Sequence, residues 1–152
     1  MRLRKGFTIV ELVLVIAALG ILATAAIVFS PSPGTTRLDA AVRQVMSDIA
    51  YAQQCATMSN VTCGATFVAG GSYTVYRGTT ATPLTNPLTK QPMVITLTLQ
   101  YSGIYLSNGF TVEFNRFGMP TTGGGGTVKV TDGTNSRAIS VEVNTGRVSV
   151  IP

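Results

Sequence analysis

The sequence predicts an α+β protein: an N-terminal transmembrane helix, then a second helix packed on antiparallel β-sheet. Three observations carry that reading. Residues 7–29 form one apolar run, residues 38–56 carry apolar side chains at helical spacing, and beyond residue 60 the pattern changes to alternation. A chain of 152 residues has room for one modest domain plus a short extra element. Only 11% of its residues are charged, and the mean hydropathy is +0.37. Against the roughly 25% charged residues of an average soluble domain, this excludes a disordered, charge-solvated chain. There is no histidine, which removes every Ser-His, Cys-His and His-metal site at once.

In the apolar run at 7–29 only Thr8, Glu11 and Thr24 are polar. As a helix rising about 1.5 Å per residue it is roughly 35 Å long, enough to cross a hydrocarbon core of about 30 Å. Arg2, Arg4 and Lys5 precede it, which places the N-terminus in the cytoplasm and the rest of the chain beyond the membrane. These three also explain most of the net charge of +5, which is therefore no nucleic-acid signature. An ordinary secretory signal fits poorly, because the run is too long and closes into Ser30-Pro31-Ser32-Pro33-Gly34 without a cleavage site. Glu11 is the anomaly. An ionised, unpaired carboxylate inside a membrane helix costs about 3 kcal/mol or more. Either it stays neutral or snorkels to the interface, or it pairs with a cation from outside the helix. A new α-amino group made by cutting the chain before Phe7 would be such a cation.

The segment Lys5-Gly6-Phe7-Thr8-Ile9-Val10-Glu11-Leu12 resembles the processing site of type IV prepilins and type II secretion pseudopilins. The shared pattern is a short basic leader, a glycine, then Phe-Thr-x-x-Glu opening a long apolar stretch. The resemblance implies a leader, residues 1–6, removed by a membrane prepilin peptidase that cuts between Gly6 and Phe7 and methylates the new amino group of Phe7. It implies that Glu11 meets an N-terminal ammonium during subunit addition, neutralising a buried charge and setting the axial register. The implied location is the bacterial inner membrane, with a pilin-like head in the periplasm. The implied partners are the prepilin peptidase, other pilin or pseudopilin subunits and the inner-membrane assembly platform.

After the span, residues 30–34 read as a Pro/Gly hinge, since two prolines lack the helical donor and disfavour helix at the residue before each. A kinked helix running through is the alternative. Thr36-Arg37-Leu38-Asp39 resembles a capping box and would restart the helix at the opening of a head domain, residues 35–152. Leu38, Ala41, Val42, Val45, Met46, Ile49, Ala52 and Ala56 make the stripe for a sheet to cover. Asp39, Arg43, Gln44, Asp48 and Gln53 fall largely off it and are expected in solvent, and the helix is expected to end near Met58.

Strands follow. Tyr73 and Val75 alternate with Thr74 and Tyr76, Ile95, Leu97 and Leu99 with Thr96 and Thr98, and Phe110, Val112 and Phe114 with Thr111 and Glu113. Val128 and Val130, then Ile139, Val141 and Val143, then Val148 and Val150 repeat the pattern. With turn signals at Asp132-Gly133-Thr134-Asn135 and Asn144-Thr145-Gly146, these last three strands read as an antiparallel meander. Residues 79–92 are an outer loop. Gly123-Gly124-Gly125-Gly126 has no following helix and no Walker lysine, so it reads as a flexible hairpin tip and not a phosphate cradle.

Cys55 and Cys63 are the only cysteines. Outside the cytoplasm they could form a disulfide worth about 2–3 kcal/mol, or stay as two buried thiols. Without histidine they supply neither a four-ligand metal set nor a catalytic base, and Glu113 and Glu142 sit on the polar phase of strands. No catalytic residue, metal or cofactor is expected, and no enzyme. The helix at 40–53 and the ending Val143-Asn144-Thr145-Gly146-Arg147-Val148 resemble the H-type minor pseudopilins and their type IV relatives, the GspH/FimT group. Some pilus members of that group bind DNA through a Gly-Arg-x-Arg turn. Here Gly146-Arg147-Val148-Ser149 lacks the second arginine, which leaves Arg147 as a lone candidate DNA contact or a solvated hairpin residue. The implied function is a structural minor subunit of a type II secretion pseudopilus or type IV pilus. The alternative is a tip-located minor pilin that binds DNA; nucleic acid is not the expected partner.

Overall fold

A computed structural model describes residues 8–28 and 33–151, with the backbone alone at 25–28 and 33. The chain divides into two compact units, one ending at Ser32 and one from Pro33 to Pro152. The first holds helix α1, Ile9–Val28. Thr8 caps it: the Glu11 amide donates to Thr8 Oγ1 at 3.2 Å, and the Leu12 amide to the Thr8 carbonyl at 3.1 Å. Thr-x-x-Glu therefore starts a helix as well as marking a motif. Among the described residues no helix is both long and apolar enough to cross a membrane. The stretch with described side chains, 9–24, is shorter than the roughly 20 residues a crossing takes.

Helix α2, Pro33–Ser59, opens the second unit. It starts earlier than the expected restart at Thr36, because a proline in the first turn lacks only an N–H that would be unpaired anyway. Pro33 and Gly34, read as hinge, are thus helical, while residues 30–32 lie outside the described residues. The stripe is buried as expected, from Leu38, Ala41 and Val42 through Val45 and Ile49 to Ala52 and Ala56.

As expected, α2 packs on antiparallel β-sheet, here two sheets. The strands are β1 (Cys63–Phe67), β2 (Ser72–Arg77), β3 (Val94–Thr96), β4 (Tyr105–Leu106), β5 (Phe110–Phe114), β6 (Pro120–Thr122), β7 (Thr127–Thr131), β8 (Ser136–Val141) and β9 (Val148–Ile151), with a one-turn helix α3 at Leu97–Gln100. One sheet runs β3-β2-β1-β5-β6 and the other β4-β7-β8-β9. The expected meander is β7, β8 and β9. In the first sheet Cys63 sits between Arg77 and Phe114, so β2 and β5 reach the same end. Val75, Val112 and Phe114 face the core with Leu97, Val128, Val130, Ile139 and Val141.

The alternation at Ile95, Leu97 and Leu99 does not extend into a longer strand. β3 pairs with β2 only as far as Ser72↔Thr96, where β2 begins, so residues beyond Thr96 have no partner strand. The chain closes a helical turn instead, which buries Leu97 and leaves Leu99 in solvent. The glycine run is not a loose tip either. Its segment leads from β6 into β7, where the Gly126 amide donates to the Gly123 carbonyl at 3.0 Å and the Gly125 amide to Val141 at 2.7 Å. A Cβ on Gly123 would collide with the Thr111 carbonyl, and one on Gly126 with the Phe110 ring. Close packing, not mobility, demands glycine there.

Candidate functional site

Gly6 and Phe7, the expected cleavage and methylation positions, lie outside the described residues. Glu11 is exposed in the first turn of α1, where the N-terminal end of the helix dipole favours a carboxylate. It projects from a helix that belongs to a unit separate from the head.

In the head, a disulfide joins Cys55 of α2 to Cys63 of β1, with Cα atoms 6.1 Å apart. Of the two readings open for these cysteines, the bridge is the one formed. Ser59 sits beside it, its hydroxyl donating to the Cys55 carbonyl at 2.7 Å.

Gln53, expected in solvent, is a clamp. Its Nε2 donates to the Gly118 carbonyl at 2.7 Å and to the Thr145 carbonyl at 2.8 Å, tying the β5–β6 turn to the β8–β9 turn. The clamp brings the turns bearing Arg116 and Arg147 side by side at the C-terminal end of α2. Arg137 is elsewhere: it meets Asp39, near the start of α2, at 3.6 Å. Arg116 lies over the exposed Phe117 ring at 4.8 Å. Arg147 lines an open depression of about 380 Å³ with Glu142 and Ser149. Gly146 has φ +68, and a Cβ there would stand 2.8 Å from the Gly118 carbonyl, from Gln53 Nε2 and from the Phe114 ring. The Gly-Arg step is thus first a packing requirement.

Asp48 corrects another expectation: it is 5% exposed. Tyr73 donates its hydroxyl to Asp48 Oδ2 at 2.5 Å, and Gln44 Nε2 donates to both oxygens at 3.2 and 3.0 Å. Burial holds the Asp48 carboxyl above its usual range, only partly offset by these two donors. The Tyr73 hydroxyl is likewise raised, by burial and then by the neighbouring carboxylate. Tyr76, expected on the polar phase, is buried with its hydroxyl donating to Glu113 Oε1 at 2.8 Å. The helical phase held a clue to Asp48: it lies seven residues after buried Ala41, almost two full turns, so the two share nearly one face. Among the described residues, no group of three His, Cys, Asp or Glu could hold a metal ion.

A family model described as type II transport protein GspH matches residues 41–146. The chain belongs to the GspH family. A second model, the prokaryotic N-terminal methylation motif, matches residues 1–27. No curated protein matches the chain. Among solved structures, the type IV minor pilin FimU of Pseudomonas aeruginosa (strain PAO1) is similar at 14% identity and a TM-score of 0.54, over 76% of this chain and 93% of that one. At that identity the likeness concerns the pilin-like fold alone. In this GspH-family chain the matched range takes in the stripe of α2 from Ala41 on, the disulfide, the Gln53 clamp and Gly146.

The buried carboxyl makes stability depend on pH with a definite sign. A raised Asp48 pKa means the folded chain binds that proton more tightly than the unfolded chain. Stability is therefore lost as pH rises from the ordinary aspartate range through the raised value. Asp48→Asn keeps an acceptor for Tyr73 but cannot titrate. Thermal unfolding midpoints measured from about pH 4 to 7 should decline less steeply with pH in this variant than in the parent. Parallel slopes would show that the carboxyl titrates as if exposed.

Proposed function

We propose that the chain is a structural minor subunit of a type II secretion pseudopilus or a type IV pilus, tethered in the inner membrane with its head in the periplasm. The observation that carries this is the joining, on one chain, of an N-terminal methylation motif to a GspH-family head. Prepilin peptidase would cut between Gly6 and Phe7, methylate the Phe7 amine, and leave Glu11 to pair with that ammonium as subunits enter the filament through their N-terminal helices. Residues 7–29 would hold the subunit in the membrane until the assembly platform extracts it. The role is architectural, with no catalytic step. Intact-mass measurement of protein extracted from membranes tests the first event. The expected mass is that of a chain beginning at N-methyl-Phe7; retention of Met1, or cleavage after residue 29, refutes it.

A DNA-binding tip pilin is the second reading, favoured by one observation: the Gln53 clamp places the Arg116 and Arg147 turns together. Lone phosphate contacts give weak, salt-sensitive affinity. Duplex DNA titrated at physiological salt is expected to bind at about 10⁻⁴ M or more weakly. Sub-micromolar affinity lost on Arg147→Ala would put the DNA reading first.

A further inference from the structure

The head distributes its charged partners unevenly. Every aspartate and glutamate from residue 33 on is engaged within the chain. Asp39 meets Arg137, Asp48 holds Tyr73 and Gln44, and Glu113 accepts from Tyr76 and Thr122. Asp132 accepts the amides of its own turn, and Glu142 accepts from Thr145. The cations are treated differently. Among the described residues Arg137 alone is ion-paired, and Arg116 rests on an aromatic ring. Arg77, exposed at the end of β2, has neither kind of partner.

Arg77 edges an open groove of about 460 Å³ at the C-terminal end of α2. Its other walls include the Tyr51 and Met58 side chains of α2 and Leu84 from the long loop, with Gln54 adding an amide. The Ser59 hydroxyl is already spent on a backbone carbonyl. The groove thus offers a mainly apolar wall and one guanidinium, and among the described residues no carboxylate answers that cation. It lies roughly 30 Å along α2 from Pro33, toward the other end of that helix.

We propose that this groove docks a carboxylate side chain flanked by an aliphatic or aromatic residue on the surface of a different filament subunit. The carboxylate would take the planar fork of Arg77, and its apolar neighbour would cover Leu84 and Met58. The partner is a different chain because every head carboxylate of a second copy is already engaged within its own chain, and Glu11 is assigned to the N-terminal ammonium. It is a protein segment because a phosphate backbone, strongly hydrated throughout, gains nothing from the apolar wall. The proposal rests on the filament-subunit reading.

The test uses the full chain, in the cell that makes it, with a photo-reactive residue replacing Met58, which is 78% exposed. Irradiation should join it to another pilin-like chain at a peptide carrying Asp or Glu beside an apolar residue. The yield should fall about tenfold or more in Arg77→Glu, fall less in Arg77→Lys, which keeps the charge but loses the fork, and return when the mapped acid is changed to Lys in the Arg77→Glu background. No crosslink, a crosslink to a second copy, to lipid or to nucleic acid, or a yield indifferent to Arg77→Glu overturns the proposal. Processing at Phe7 and filament incorporation are followed in the same samples. If both are intact while docking fails, the subunit reading stands and the groove assignment alone falls.

Discussion

Glu11→Ala should leave the chain inserted and processed while lowering its incorporation into filaments by about a hundredfold. Removing one member of a buried ion pair typically costs about 3–5 kcal/mol, because the remaining charge is stranded in an apolar setting, and 1.4 kcal/mol is a factor of ten. Here the stranded charge would be the N-terminal ammonium of an incoming subunit. The structure supports the separation of effects. Glu11 is exposed on α1, outside the compact unit that begins at Pro33, so its loss takes nothing from the head's core. Loss of an acid from a first helical turn costs only about 0.3–1 kcal/mol locally. Glu11→Gln keeps the shape and removes the charge, and should be nearly as severe. Immunoblots of sheared filaments, normalised to the membrane fraction, measure the effect. Incorporation of the alanine variant at the parental level would refute the pairing.

Gly146→Val should destabilise the head by at least about 3 kcal/mol and lower its unfolding midpoint by roughly 10 °C or more. Two costs combine. A β-branched residue is strained at φ +68, and its Cβ would stand 2.8 Å from a backbone carbonyl that does not move freely. Gln53 has nowhere to retreat, because its amide holds Gly118 and Thr145 together. Gly133→Val separates the two costs. At φ +91 it is strained as well, but its nearest neighbour is the Tyr105 hydroxyl at 3.9 Å, so only the backbone penalty remains. Melting of the two variants followed by circular dichroism should show Gly146→Val clearly the worse. Equal midpoints would mean that the clamp yields and the turn is loosely held. The expected result also bears on Arg147, since a glycine required for packing next to an arginine is no sign of a nucleic-acid site.

The amino-acid sequence by itself determined the elements whose cause is local. The stripe of α2 was legible because 3.6-residue periodicity states which side chains one surface must cover, and the same holds for the alternation of β7, β8 and β9. The N-terminal motif was legible because its charge, glycine, aromatic and acid are adjacent in the chain. The tertiary structure decided whatever depends on a partner distant in sequence. Asp48 became buried because Tyr73, from another element, supplies the hydroxyl that makes burial tolerable. Leu97 went into a helical turn and not a strand because β2 ends where its pairing would have continued. The glycine run tightened because β5 and β8 pass beside it, and Gln53 became a clamp because two turns far apart in sequence stop at its amide. Periodicity reports which surfaces must be covered; which group covers them, and which polar atom it leaves to be satisfied, is settled only when the strands close around the helix.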